Sequence, residues 1–289
     1  MSDTTFRMRL MILLVLCVFV VGVWVISITT AVHTASPYLQ VHFLDVGQGD
    51  SALIETPFGV QVLVDGGADS TVLRRLGHEM NFFDRDIDIV VGTHPDKDHI
   101  GGLIDVLKRY KVSLILTTEN KGDTSTSGLY NKLKTAEGAE IIYARRGQTI
   151  VLDASTTMRI LFPDSNPSEM ETNTSSIVFQ LMYGSSTFMF TGDSPKNIEE
   201  YLVKVEGTHL RSDVLKLGHH GSRTSTSEKY LEVVSPLYAI VSAAKDNRYG
   251  HPHVEVTDML FNKRIQMLET SKEGTITMVS DGTRVWQEK

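Results

Sequence analysis

Four groups able to bind a metal ion or move a proton stand almost side by side. His94, Asp96, Asp98 and His99 fall in Thr93-His94-Pro95-Asp96-Lys97-Asp98-His99-Ile100-Gly101-Gly102. Packing such carboxylates and imidazoles together away from water is costly unless their charge is neutralised, which a divalent cation does directly. A solvated turn whose Asp caps the next helix would account for one of them, not for four, and Lys97 is expected to be a solvated side chain between them. Asp193 ends the run Thr191-Gly192-Asp193, where it can cap a following helix or reach a metal; taken alone, capping is the better reading. Gly218-His219-His220-Gly221-Ser222 offers paired imidazoles between glycines. Adjacent side chains of a strand point to opposite faces, so one of the pair is expected to bind metal. Asn247-Arg248-Tyr249-Gly250-His251-Pro252-His253 adds His251, which could equally tie down its own turn.

The elements needed to hold these groups are visible as short β-branched runs broken by Gly, Pro and Asp. Strands are expected at 38–46, 51–55, 60–64, 87–91, 113–117, 157–162, 176–183, 187–190, 214–217, 238–242, 275–280 and 283–286. Asp281-Gly282 between the last two signals a tight hairpin. Ile100, Leu103, Ile104 and Leu107 are spaced as the apolar stripe of a helix. Further helices are expected from Pro195 to about Val205, with Ser194 as cap, and over 227–234 and 254–263. The polar stretches 120–127 and 164–174 read as surface loops. Most of the candidate ligands thus follow a strand, where α/β folds place their sites.

Composition sets the limits. The chain has 289 residues, 41% hydrophobic and 22% charged, which suits a folded protein and excludes disorder. A net charge of −7 argues against a broad basic face for nucleic acid. The single cysteine, Cys17, rules out an intrachain disulfide framework or a multi-cysteine metal site. Leu10 to Ile28 is uncharged and almost wholly apolar, long enough to cross a bilayer as a helix. With Arg7 and Arg9 before it, the positive-inside rule puts the N-terminus in the cytoplasm and the rest outside. A cleaved signal peptide, giving a secreted protein, is the alternative. The expected organisation is an N-terminal segment 1–36, with cytoplasmic end, single-pass anchor (about 10–28) and linker, then one domain over 37–289.

Together these motifs resemble a known family. His94-Pro95-Asp96-Lys97-Asp98-His99 is similar to the His-x-[His/Asp]-x-Asp-His signature of the metallo-β-lactamase fold, followed in order by that family's Asp, at Asp193, and final His, at His219. Leu44-Asp45-Val46-Gly47-Gln48-Gly49-Asp50-Ser51, Val64-Asp65-Gly66-Gly67, Leu215 to Ser222 and Tyr249-Gly250-His251-Pro252 extend the resemblance to the hydrolase domain of ComEC-type competence proteins. It implies an α/β fold, a metallo-β-lactamase-like αββα sandwich, preceded here by one N-terminal transmembrane helix. It also implies two divalent metal ions, Zn²⁺ or Mn²⁺. Asp98, His99 and His219 would hold one, and Asp193 would bridge to a second held by His94 and Asp96. Asp98 and Asp193 would be the catalytic carboxylates, with Asp65 and His220 orienting ligands from behind. Asp96 replaces a His found in many members and hardens the site toward oxygen-preferring metals. Residues 173–176 lack a His common in the superfamily, which weakens one site.

Such a metal pair activates a water and stabilises charge on an attacked phosphate, so no side-chain nucleophile is needed. The expected phosphate contacts are the amides of Gly47 and Gly49, with Ser222, Arg223 and His251. Lys245 and Arg248 add local positive charge. The resulting expectation is an extracytoplasmic metal-dependent phosphodiesterase acting on nucleic acid, a nuclease linked to DNA uptake or degradation. The alternatives are a phosphodiesterase of cell-envelope esters such as phosphorylcholine on teichoic acids, and a non-catalytic binding protein stabilised by metal.

Overall fold

Short apolar runs bounded by turn residues form strands buried on one or both faces. In the computed structural model they run β1 (Leu39–Phe43), β2 (Ala52–Glu55), β3 (Gln61–Val64), β4 (Asp86–Gly92), β5 (Lys111–Thr117), β6 (Glu140–Tyr143), β7 (Thr149–Val151), β8 (Thr156–Phe162), β9 (Val178–Tyr183), β10 (Ser186–Phe190), β11 (Val214–Lys216), β12 (Tyr238–Val241), β13 (Gln266–Glu269), β14 (Ile276–Ser280) and β15 (Val285–Gln287). The helices are α1 (Asp3–His33), α2 (Thr71–Glu79), α3 (Lys97–Ile100), α4 (Leu103–Arg109), α5 (Ser125–Ala136), α6 (Lys196–Glu206), α7 (Glu228–Val234), α8 (Val254–Asn262) and α9 (Thr270–Glu273). Residues 3–33 and 36–288 are described; residues 1, 2, 34, 35 and 289, and the side chains of 3–6 and 24–33, are not, so parts of the expected anchor and linker lie outside the described residues.

The strands form two sheets, ordered β15-β14-β1-β2-β3-β4-β5-β6 and β13-β12-β11-β10-β9-β8-β7. Their inner faces meet in one apolar core, where Phe179 and Phe190 stack with centroids 4.6 Å apart and Phe43 packs on Phe190. Outside the first sheet, Val72 and Leu76 of α2, Leu103 and Leu107 of α4 and Tyr130 of α5 close a second core. Outside the other, Leu202 of α6, Leu231 of α7 and Leu260 of α8 close a third. The order of layers is helices, sheet, sheet, helices.

β3 to β6 are parallel to one another, as are β10 to β13. The C-terminal ends of β3, β4, β10, β11 and β12 lead directly into the segments that carry the candidate ligands. The helix expected from Ile100 is broken into α3 and α4 at Gly101-Gly102, because the loop must lie on the end of β3. A Cβ at Gly102 would stand 2.0 Å from the Gly66 carbonyl oxygen.

Three local expectations differ. The last hairpin has a four-residue loop rather than a two-residue turn, because Asp281 Oδ1 accepts from the amides of Thr283 and Arg284. α6 starts after Pro195 without a side-chain cap, and the Ser194 carbonyl instead accepts from the Ser225 hydroxyl. The segment expected to be a loop at 120–127 contains the start of α5, held by a reciprocal cap between Thr124 and Ser127.

α1 carries exposed apolar side chains from Met8 to Val23. Among the described residues no helix is long and apolar enough to cross a membrane, and the expected single-pass anchor is not supported by them.

Candidate metal centre

The first sheet supplies half of the centre. Asp65 follows β3 in a left-handed backbone conformation, φ 56°. Its carboxylate accepts from the Thr93 amide at 2.9 Å, the Thr93 hydroxyl at 2.7 Å and His99 Nδ1 at 2.8 Å. With Nδ1 donating, the His99 Nε2 lone pair is turned toward the second sheet, 3.3 Å from Asp193 Oδ1. Gly49 carries the approach of the β1–β2 loop to the ligand loop: at φ 134°, any Cβ there would lie 2.2 Å from the Asp98 carbonyl oxygen.

The other sheet supplies the rest. Asp193 follows β10 and is buried; it does not cap α6, and its own amide donates to Ser176 Oγ at 3.1 Å. Its Oδ2 lies 3.6 Å from His219 Nε2, 3.7 Å from His220 Nε2 and 4.0 Å from His94 Nε2. His220 Nε2 is also 3.3 Å from Asp98 Oδ2, and His94 Nε2 is 3.8 Å from Asp96 Oδ2. The paired histidines therefore do not diverge. They sit in a tight turn after β11 with φ 49° and 57°, and two successive left-handed residues bring both rings round to Asp193. Non-glycine residues hold such backbone angles at a cost, and those that do cluster at functional sites.

Three atoms in this cluster, His94 Nε2, His99 Nε2 and Asp193 Oδ1, are buried with no hydrogen-bond partner. Buried polar atoms that converge without hydrogen-bond partners are what a cation would satisfy. The ligand atoms of His94, His99 and Asp193, of Asp98, His99 and His220, and of Asp50, Asp193 and His220 each lie within 4.8 Å of one another. His220, expected to stand behind the ligands, thus supplies donor atoms to the cluster itself. His219 is absent from these groups and partly open to solvent, and Asp96, also partly exposed, touches the cluster through His94.

Two residues with no expected role complete the support. Lys216 Nζ, buried, lies 2.7 Å from Asp50 Oδ1 and 2.8 Å from Oδ2, and donates to the Leu217 carbonyl at 3.0 Å. Asp50 in turn lies 3.0 Å from His220 Nδ1, doing for His220 what Asp65 does for His99. A lysine inside the apolar strand Val214-Leu215-Lys216-Leu217 was the available signal, since a buried ammonium requires a counter-charge.

The charges of the cluster are interlocked. Burial alone would raise the Asp193 and Asp98 carboxyls, but the facing histidines outweigh it, holding Asp193 well below its usual value and Asp98 at about 2. Burial opposes protonation of His220, yet Asp193 and Asp50 lift it to about 9; His99 is likewise raised, by Asp193 and Asp65. His94 is lowered by burial and by His99. Without metal, protons on His99 and His220 stand in for cations. A folded-state value near 9 against about 6.5 in the unfolded chain stabilises the metal-free fold fully below about pH 6.5, and this is lost as pH rises through about 9. In chelator, urea unfolding from about pH 6 to about pH 10 should show a fall of roughly 2–3 kcal/mol over that window. Metal-loaded protein should not show it, because metal displaces those protons.

The expected phosphate contacts are distributed around the opening. The Gly47 amide donates to Asp45 Oδ1 at 3.3 Å, and Gly49 is buried against the ligand loop, so these glycines join two loops rather than lying open as an anion cradle. Ser222 Oγ pairs with Thr224 Oγ1, and the Arg223 guanidinium, on the surface, reaches Glu255 at 3.1 Å. His251 lies beside His219 and His220; burial and then their charge lower it to about 4. The loop after the paired histidines is anchored by buried Glu199 of α6, whose oxygens accept from the amides of Thr226 and Ser227, both at 2.6 Å. Replacing Glu199 with alanine strands both donors. It is expected to lower unfolding free energy by about 2–4 kcal/mol in thermal or urea melts.

A family model described as the metallo-beta-lactamase superfamily matches residues 44–245, the stretch that holds all the converging donors. The chain belongs to the metallo-β-lactamase superfamily. Within it, the chain is 32% identical over 256 residues to ComE operon protein 3 of Bacillus subtilis (strain 168), covering 82% of this chain and 32% of that protein. It is 32% identical over 237 residues to Competence protein ComA of Neisseria gonorrhoeae, covering 80% and 31%. Recombination protein 2 of Haemophilus influenzae matches at 29% identity. The chain spans about a third of the length of these relatives. Among solved structures, the diiron β-hydroxylase CmlA from Streptomyces venezuelae aligns with TM-score 0.55 at 14% identity, covering 86% of this chain and 54% of that one. Zn²⁺-bound PqqB from Methylobacterium extorquens aligns with TM-score 0.52 at 10% identity, covering 80% and 87%. At these identities the likeness is one of fold.

Proposed function

We propose that this protein is a metal-dependent phosphodiesterase that cleaves nucleic acid, with its hydrolase domain outside the cytoplasm and its apolar N-terminal helix associated with lipid. The observation that carries the proposal is the set of buried, unpartnered donor atoms of His94, His99 and Asp193 facing one another at the strand ends. Similarity to proteins named for competence and recombination favours a nucleic acid as the phosphodiester. The apolar side chains of α1 exposed from Met8 to Val23, after Arg7 and Arg9, favour a lipid environment for that helix.

His94, His99, Asp98, Asp193 and His220 would hold the metal ions, with Asp96 and His219 at the open side. Zn²⁺ or Mn²⁺, when bound there, supplies a water acidic enough to attack at neutral pH and positive charge against the phosphate. The chain's own groups prepare that site. Asp65 and Asp50 accept hydrogen bonds from the Nδ1–H groups of His99 and His220, which turns both Nε2 atoms inward to face a metal. Lys216 offsets the charge of Asp50. His251 borders the opening with an unpartnered buried Nδ1 placed to meet a phosphate oxygen.

Full-length protein in detergent, loaded with Mn²⁺ or Zn²⁺, should hydrolyse DNA or RNA and lose that activity in chelator. Intact nucleic acid alongside cleavage of a small phosphodiester would transfer the site to cell-envelope esters, a reading favoured by the net charge of −7. Resistance to carbonate extraction from membranes, with digestion of the domain from outside the cell, tests the placement.

A further inference from the structure

From the metal centre a row of flat groups leads out to solvent along residues 247–253. The His251 ring lies 5.5 Å from that of His219 and 6.1 Å from that of His220. Tyr249 stacks on His251, centroids 5.6 Å apart and planes 20° from parallel. The Arg248 guanidinium carbon is 4.9 Å from the Tyr249 centroid, and its Nη2 donates to the Tyr249 hydroxyl at 2.7 Å. Burial falls along the row: His251 is 9% exposed and Tyr249 48%.

This row is held in place. Asn247 Oδ1 accepts from the amides of Tyr249 at 3.2 Å and His251 at 2.9 Å, while its Nδ2 donates to the carbonyls of Ala244 and His251. The His253 amide donates to the Gly221 carbonyl, and the Arg223 amide to His253 Nδ1, so the loop is fastened to the turn that carries His219 and His220. The half-exposed Tyr249 ring and the Arg248 guanidinium lying over it together present a flat surface at the mouth of the metal centre.

Aromatic and guanidinium planes are the surfaces on which unpaired bases stack, with little regard to sequence. A quaternary ammonium would also suit an aromatic face, but Arg248 beside Tyr249 opposes a cation there. The unpartnered Nδ1 of buried His251, between this surface and the metal centre, suits a group that is flat at one end and anionic at the other. We infer that Tyr249 and Arg248, backed by His251, form a stacking subsite for the base beside the scissile phosphodiester, so that the enzyme acts on single-stranded nucleic acid. The inference rests on the phosphodiesterase reading above.

Two labelled oligodeoxynucleotides separate the two claims, one with bases throughout and one abasic on both sides of a single central linkage. Mn²⁺-loaded full-length protein should cleave the first at that linkage with kcat/KM about 10- to 100-fold higher, mainly through KM, and bind its phosphorothioate analogue more tightly by fluorescence anisotropy. Y249A should bring the preference close to unity, and Y249F should keep it. Equal cleavage and binding of both strands by the unaltered protein, or an undiminished preference in Y249A, overturns the subsite while leaving the nuclease standing. Preferential binding without cleavage of either strand sustains the subsite and overturns the nuclease.

Discussion

Asp193→Asn should lower kcat for phosphodiester hydrolysis by at least about 10³-fold and reduce the divalent metal retained per chain. Among the described residues, Asp193 is the one carboxylate approached by the Nε2 atoms of His94, His99, His219 and His220, from both sheets. Asparagine keeps the shape but removes the charge and one of the two equivalent oxygens. Elemental analysis of protein purified without added ions, beside steady-state kinetics with Mn²⁺ and Zn²⁺, checks the expectation. Full activity in the variant would remove Asp193 from the centre altogether. The same change takes away the leading counter-charge of protonated His99 and His220, so in chelator both should release their protons at lower pH than in the unaltered protein.

Lys216→Met should produce the larger effect on stability, about 3–5 kcal/mol by urea unfolding. Methionine fits the space but takes from the buried Asp50 carboxylate the first of its two counter-charges, leaving His220 alone to face it, and a broken buried pair costs far more than the pair itself contributes. The loss should be smaller in the double variant Lys216→Met/Asp50→Asn than the two single changes would sum to, because the second change removes the stranded charge. Metal affinity should fall along with stability, since Asp50 is what aligns His220. A Lys216→Met protein as stable as the parent would show that His220 alone suffices to neutralise Asp50.

The sequence displays this centre unevenly, for physical reasons. The cluster from His94 to His99 is legible because ligand chemistry concentrates unusual residues in a short loop, and Asp65, Asp193 and the paired histidines stand at strand ends that their apolar runs announce. The choice between His219 and His220 was not legible. Alternation on a strand gives the wrong geometry once both residues turn left-handed, and no local residue pattern specifies that turn. Asp50 and Lys216 meet across 166 positions of sequence, so their pairing is a property of the packed sheets. The helices α2 and α5 were missed because Gly77 interrupts the first, and the second has a mostly polar sequence with a Thr124–Ser127 cap in place of the usual acidic partner. β13 was hidden by its four residues Gln266 to Glu269, too few for alternation to show.

The division of donors between the sheets gives the centre a mechanical meaning. Asp65, His94, Asp98 and His99 come from the half of the chain that ends with β6, whereas Asp193, His219 and His220 come from the half that begins with β7. Any ion gripped by both sets is a clasp across the sandwich, drawn tight at one end, while the returning strands β14 and β15 lock the second half onto the edge of the first. Metal release would therefore unfasten two halves of the molecule from each other at that end, and loosen the fold where proteases would enter.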